Sequence, residues 1–251
     1  MAVMDEFKEE REAVKTKPLK EKLSYFWTYY KWFVIIPLII MIFVGTLIYQ
    51  KITAKEPLLH GILLNTNTLE SDSSALINGF YEEQDIDQKE YEIDINTTLS
   101  YYPESQNSTS NSATLQALMA WNSVGNIDFI SGDIEALKDL AYKGYFTDLS
   151  EILTEEQFAR YESHFLYIDQ AVVEQRNEAF DTNTDISSIP LPDCDKPEEM
   201  EDPVPVLLSL TPDDALAQAY GTDVEAIILG ISSNAQNTDM AFTFIEYATK
   251  E

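Results

Sequence analysis

One long apolar run, followed by short apolar segments of changing period, divides the chain. The run WFVIIPLIIMIFVGTLIY, residues 32–49, holds 18 residues without a charge. At 1.5 Å per residue it spans about 27 Å as a helix, close to the thickness of bilayer hydrocarbon, and predicts a transmembrane segment. Pro37 falls in its second turn and removes a backbone donor, a defect that membrane helices tolerate. Past residue 57 the pattern shortens. Residues 58–64 (LLHGILL), 91–95 (YEIDI) and 127–130 (IDFI) read as strands, with residues 166–168, 205–210 and 224–232 as three more.

Helical spacing fills the gaps. Residues 72–83 set Leu76, Ile77, Phe80 and Tyr81 behind a Ser71/Asp72 cap, and residues 112–124 place Leu115, Leu118 and Met119 on one face. After the turn Ser131-Gly132-Asp133, Ile134, Leu137, Leu140 and Ala141 predict a helix stopped by Gly144. Thr154 and Gln157 form a capping-box signature opening residues 154–164, and further helices are expected over 169–180, 212–220 and 237–250. In the last of these, Phe244, Ile245 and Ala248 mark the face that docks on a sheet. Strand and helix alternate, which predicts an α/β domain with a single open, mostly parallel sheet flanked by helices. The division is a leader at 1–31, the span at 32–49, a linker at 50–57 and an outer domain at 58–251 carrying a long irregular acidic loop at 181–205.

Charge fixes the expected orientation. Lys15, Lys17, Lys20, Lys22 and Lys31 precede the span, while only Lys51 and Lys55 closely follow it. The positive-inside rule then puts the N-terminus in the cytoplasm and the outer domain on the extracellular side of the cell membrane. Tyr25, Phe26, Trp27, Tyr29, Tyr30, Trp32 and Phe33 suit the inner interface, and Tyr49 the outer one. The leader is long and holds six acidic residues, unlike a cleaved signal peptide. Its alternating charges, such as Glu6/Glu10 and Glu9/Lys8, read as a solvated or membrane-skimming helix. Net charge is −28 for the chain, and residues 56–251 hold seven Lys/Arg against 38 Asp/Glu, a net −31. A field of that sign repels phosphate backbones and excludes nucleic acid as a partner.

Little in the sequence suggests catalysis. The two histidines, His60 in a strand and His164 at a helix end, have no partner at zinc-site spacing. No nucleophile elbow, phosphate loop or dinucleotide fingerprint occurs, so neither enzyme nor cofactor is expected. Cys194 is the only cysteine, which rules out a disulfide within the chain. Asp193, Asp195, Glu198 and Glu199 lack the glycine and ligand periodicity of a calcium loop and read as a solvated acidic linker. The sequons at Asn96 and Asn107 matter only in a host that glycosylates. In open parallel sheets ligands sit beyond the carboxyl ends of the strands, here loops 65–68, 97–102 and 131–133. Asn65, Tyr101, Tyr102 and Asp133 in those loops can hydrogen-bond and stack on a sugar, and ordinary loop polarity, with Asp133 as a helix cap, explains the same residues. Trp121, at a helical position, reads as core.

Three stretches carry a family resemblance. Residues 115–153 (LQALMAWNSVGNIDFISGDIEALKDLAYKGYFTDLSEIL), 226–237 (AIILGISSNAQN) and 238–250 (TDMAFTFIEYATK) resemble the first lobe of extracellular solute-binding proteins, the periplasmic-binding-type sugar and oligopeptide receptors of bacterial import systems. The resemblance implies a non-enzymatic domain that binds a partner or a small ligand such as a sugar or peptide, with a membrane permease or an envelope protein as partner. About 60 residues separate His164 from Val224, too few for a second α/β lobe, so one lobe is implied. Two other roles share these features: the substrate-binding subunit of an importer, and a structural subunit of an envelope complex.

Overall fold

The computed structural model describes residues 18–67, 72–104, 108–221 and 225–249. Residues 1–17, Thr68, Ser71, Asn107, Val224 and Lys250, on which parts of the sequence reading fall, lie outside them. The chain forms two units, residues 1–54 and 55–251. The first is the helix α1, Leu19–Thr53, of 35 residues with Pro37 inside it. Within it Lys31–Tyr49 has a mean hydropathy of 2.5 and is, by length and composition, long and apolar enough to cross a membrane. Phe33, Met41 and Phe43 stand exposed along it.

The second unit runs β1 (Glu56–Leu63), α2 (Ser74–Glu83), β2 (Tyr91–Asn96), α3 (Ser108–Ser123), β3 (Phe129–Gly132), α4 (Ile134–Ala141), α5 (Leu149–Ile152), α6 (Glu155–Tyr161), β4 (Phe165–Asp169), α7 (Gln170–Asp181), β5 (Pro203–Leu210), α8 (Asp214–Tyr220), β6 (Ile227–Ile231) and α9 (Thr238–Ala248). All six strands form one sheet in the order β2-β1-β3-β6-β5-β4. The expected strand and helix alternation is present, but the mostly parallel sheet is not. β1 pairs parallel with β2 and β3, whereas β3–β6, β6–β5 and β5–β4 are antiparallel. The sheet is therefore mixed. β5 and β6 are apolar on both faces, and a two-sided apolar run reads the same in either direction.

Alternation along β1 sends side chains to two cores. Leu59 and Leu63 pack with Ile93, Ile95, Phe129 and Leu229 under α2, α8 and α9, while Ile62 and Leu64 pack with Ile130 and Leu207 under α3 and α4. On the first face Phe244 of α9 stacks on Phe129 at 5.3 Å and meets Phe80 of α2 edge-on at 5.2 Å. Burying side chains of this size contributes roughly 1.5–3 kcal/mol each. Gly61 is required by the close approach of Phe129, whose ring lies 2.2 Å from where a Cβ would be. Trp121 is partly buried against the second core.

Two buried carboxylates fasten the framework. Asp128, 1 % exposed, accepts from the backbone N–H groups of His60 (2.8 Å), Asn237 (2.9 Å) and Gln236 (3.2 Å). Its own backbone completes the junction, donating to His60 O and accepting from Ser232 N. Asp169 caps α7 through Ala171 N and also accepts from Glu201 N (2.9 Å) and Asp202 N (3.0 Å). Burial raises the Asp169 pKa, but these N–H donors outweigh it and hold the carboxyl below its ordinary range. The acidic segment is thus pinned rather than free. It carries 3₁₀ turns at Ile186–Ser188 and Pro197–Glu199, buries Cys194 and Met200, and accepts a bond from Tyr167 N of edge strand β4 at Cys194 O.

Replacing Gly61 with alanine drives a methyl into the Phe129 ring, so Gly61→Ala is expected to cost about 1–3 kcal/mol. Thermal unfolding of the intact chain in detergent, followed by near-ultraviolet circular dichroism, measures it; an unchanged transition would show that the ring yields freely.

Candidate functional site

The chain leaves β1, builds α2 and β2 on one side of it, then crosses to β3 on the other side. This makes the carboxyl ends of β1 and β3 the topological switch point, the place where α/β sheets open a crevice. Asn65 organises it. The residue sits at φ +59°, a left-handed conformation that asparagine tolerates better than most side chains. Its Oδ1 accepts from Tyr101 N at 2.7 Å and its Nδ2 donates to Tyr101 O at 2.8 Å, so the carboxamide acts as one more ladder rung. Nδ2 also donates to the Asp133 carboxylate. The other Asp133 oxygen caps α4 at Ala136 N, 3.0 Å away.

Three of the four residues singled out from the sequence therefore meet. The Asn65 and Asp133 side chains and the Tyr101 backbone form a single clasp, with these polar groups directed at one another. Tyr101 is 3 % exposed and its hydroxyl donates to Asp139, which also accepts from Lys143. Burial first, then the hydrogen bond to Asp139 and its charge, hold the phenol well above its ordinary pKa. Tyr102 stands apart, half exposed, its backbone bracketed by the Asn111 carboxamide at 3.1 and 2.5 Å.

Two indentations flank α4 at the same edge. One, of about 550 Å³, is bordered by Glu135, Lys138, Leu166, Asp195, Ser209 and Ile228, with Cys194 in its wall. The other, of about 400 Å³, is bordered by Pro103, Glu104, Glu135, Lys138, Arg176 and Leu191. Lys138 lines both and reaches across to the acidic segment, donating to Leu191 O at 3.2 Å. Asp193 takes up Lys196 at 2.8 Å. Burial pushes the Cys194 thiol up to about 11, so it is protonated and inert at neutral pH. No motif in the sequence marks Glu104, Lys138 or Arg176. A lysine four residues into an otherwise apolar helix face was the one local signal, because the residues it meets are distant in sequence.

Chemistry elsewhere is sparse. Among the described residues no group of three or more His, Cys, Asp or Glu is placed to hold a metal. His164 has its hydrogen bond, among the described residues, with the Ser209 carbonyl at 3.0 Å. His60 Nε2 pairs with Asp94 Oδ2 across β1 and β2 at 2.8 Å. No family model, no curated protein and no solved structure matches the chain.

Two outcomes follow from this geometry. Asn65→Gly keeps the left-handed backbone and loses the clasp, whereas Asn65→Ala loses both. The alanine variant is expected to be less stable than the glycine variant by about 1 kcal/mol, and equal melting curves would remove the backbone argument. The Asp94 hydrogen bond raises His60 above 6.5 against the opposing effect of burial, and the pairing lowers Asp94 below 3.8. The His60 contribution is then complete below pH 6.5 and fades as pH rises through the folded value, while the Asp94 contribution is lost as pH falls through its own. In NMR titration His60 should titrate above 6.5 and drop towards it in Asp94→Asn; a wild-type midpoint at or below 6.5 contradicts the pairing.

Proposed function

We propose that the chain is a non-enzymatic binding module, tethered to the cell membrane by the helix through residues 32–49, with residues 58–251 outside the cytoplasm. In this reading it descends from one lobe of a solute-binding protein. The observation that carries the reading is the arrangement at the switch point. There Asn65 locks three loops, and α4 with the acidic segment builds two indented surfaces beside the lock. A rigid loop set beside a preformed indentation is what a binding role needs, because little ordering cost remains to be met on association. The paucity of nucleophile and base pairs fits the same role, since His60 is engaged by Asp94 away from this edge and His164 is held at the Ser209 carbonyl.

The experiment uses the intact chain in nanodiscs against a panel of sugars, amino acids and short peptides. At 100 times its dissociation constant a bound solute adds roughly 2.7 kcal/mol to stability, which appears as a clear rise in Tm, with the solute recovered unaltered by mass spectrometry. Alkaline extraction should leave the chain in the membrane. No shift with any panel member, chemical conversion of the solute, or release of the chain by alkali would each overturn the reading.

A further inference from the structure

We propose that the 400 Å³ cavity between α4, α7 and the acidic segment is a site for a zwitterion of the amino-acid class with an apolar side chain. The proposal names the ligand class for the binding role above and rests on it. Arg176 carries the argument. Residues 56–251 hold 38 acidic side chains, and their other cations near α4 are engaged: Lys138 at Leu191 O, Lys143 at Asp139 and Lys196 at Asp193. Arg176, on α7 in the wall of the cavity, has neither ion pair nor hydrogen bond among the described residues. An unpaired guanidinium in so acidic a domain is a standing donor site for a carboxylate, whose two oxygens accept parallel bonds from its planar fork.

The remaining walls decide what that carboxylate belongs to. Glu104 and Glu135 also line the cavity, without an ion pair among the described residues. They repel a simple anion, and Arg176 repels a simple cation. A molecule with a carboxylate at one end and an ammonium at the other meets both demands. Pro103, Ile189 and Leu191 supply the apolar part of the lining, which suits an aliphatic side chain. The volume lies near the lower end of the range for small-molecule sites, roughly 300–1,000 Å³, so the ligand is about one residue in size. The larger indentation lacks this bipolar character. Its cations, Lys138 and Lys196, both lie against Asp193.

Isothermal titration of the intact chain in nanodiscs with leucine, leucinamide and N-acetylleucine tests the assignment. Leucine should bind, and each analogue, which lacks one charge, should bind at least about tenfold more weakly. Arg176→Gln and Glu104→Gln should each weaken leucine by a similar factor while leaving the Tm without ligand unchanged, and Arg176→Lys should fall between. Equal binding of the three compounds, unaltered affinity in Arg176→Gln, or absence of leucine binding at millimolar concentration would overturn the site. If leucine fails while a sugar or peptide of the panel still raises Tm, the zwitterion assignment alone falls; if nothing in the panel binds, both readings do.

Discussion

The domain depends first on a carboxylate buried where its parallel and antiparallel halves meet. Asp128 stands just before β3, and its oxygens collect amides from β1 and from the segment leading into α9. A buried carboxylate without donors is expensive, and with three N–H groups it becomes a rigid joint. The joint holds the amino end of β3 between β1 and β6. At the carboxyl end of the same strand Asn65 plays the matching part, binding the loops that follow β1, β2 and β3. The β1–β3 seam is thus fastened at both ends by side chains that mimic backbone pairing. That seam is also the switch point of the sheet.

Electrostatics shapes the surface in a related way. A domain with net charge −31 carries self-repulsion that compact folding must tolerate. Several carboxylates are relieved locally by backbone amides, as at Asp128, Asp133, Asp169 and Asp213. The lysines are concentrated around α4, where Lys138, Lys143 and Lys196 offset Asp139 and Asp193. The acidic segment can lie against the body of the domain because of this cluster and because Asp169 anchors its far end.

Much of this was legible in the sequence, and the failures have physical causes. Strand and helix positions follow from apolar period and caps: the Thr154/Gln157 box forms with both bonds in place, and Gly144 takes a positive φ of 77° past α4. Strand direction was not legible, because β5 and β6 are buried on both faces and carry no polar face to orient them. The switch-point loops were identifiable from polarity at strand ends. What polarity does not encode is whether polar atoms turn outward or into the fold, and Asn65, Tyr101 and Asp133 do the latter, the first and last binding each other and the Tyr101 hydroxyl binding Asp139. The acidic segment looked solvated by composition, yet Cys194 and Met200 are buried and its backbone serves the edge strand. Composition averages over side chains and misses what main-chain groups do.

The antiparallel setting of β4 against β5 is what brings the acidic segment to the switch-point edge. Gly132, at the carboxyl end of β3, lies opposite Ile228 near the start of β6, and Ser209 near the end of β5 lies opposite the same residue. Phe165, opening β4, pairs with Leu208 and so starts at that edge too, while Asp169 pairs with Pro203 at the other. A helix leaving Asp169 must run back along the sheet, which returns α7 and the start of the acidic segment to the edge where α4 begins. Had β4 run in the direction of β3, as β5 does, the chain would have left β4 at the switch-point edge. The helix after it would then have carried the acidic segment away from α4. The contact of Lys138 with Leu191, and the shared wall of Glu135 and Arg176, are consequences of that antiparallel turn.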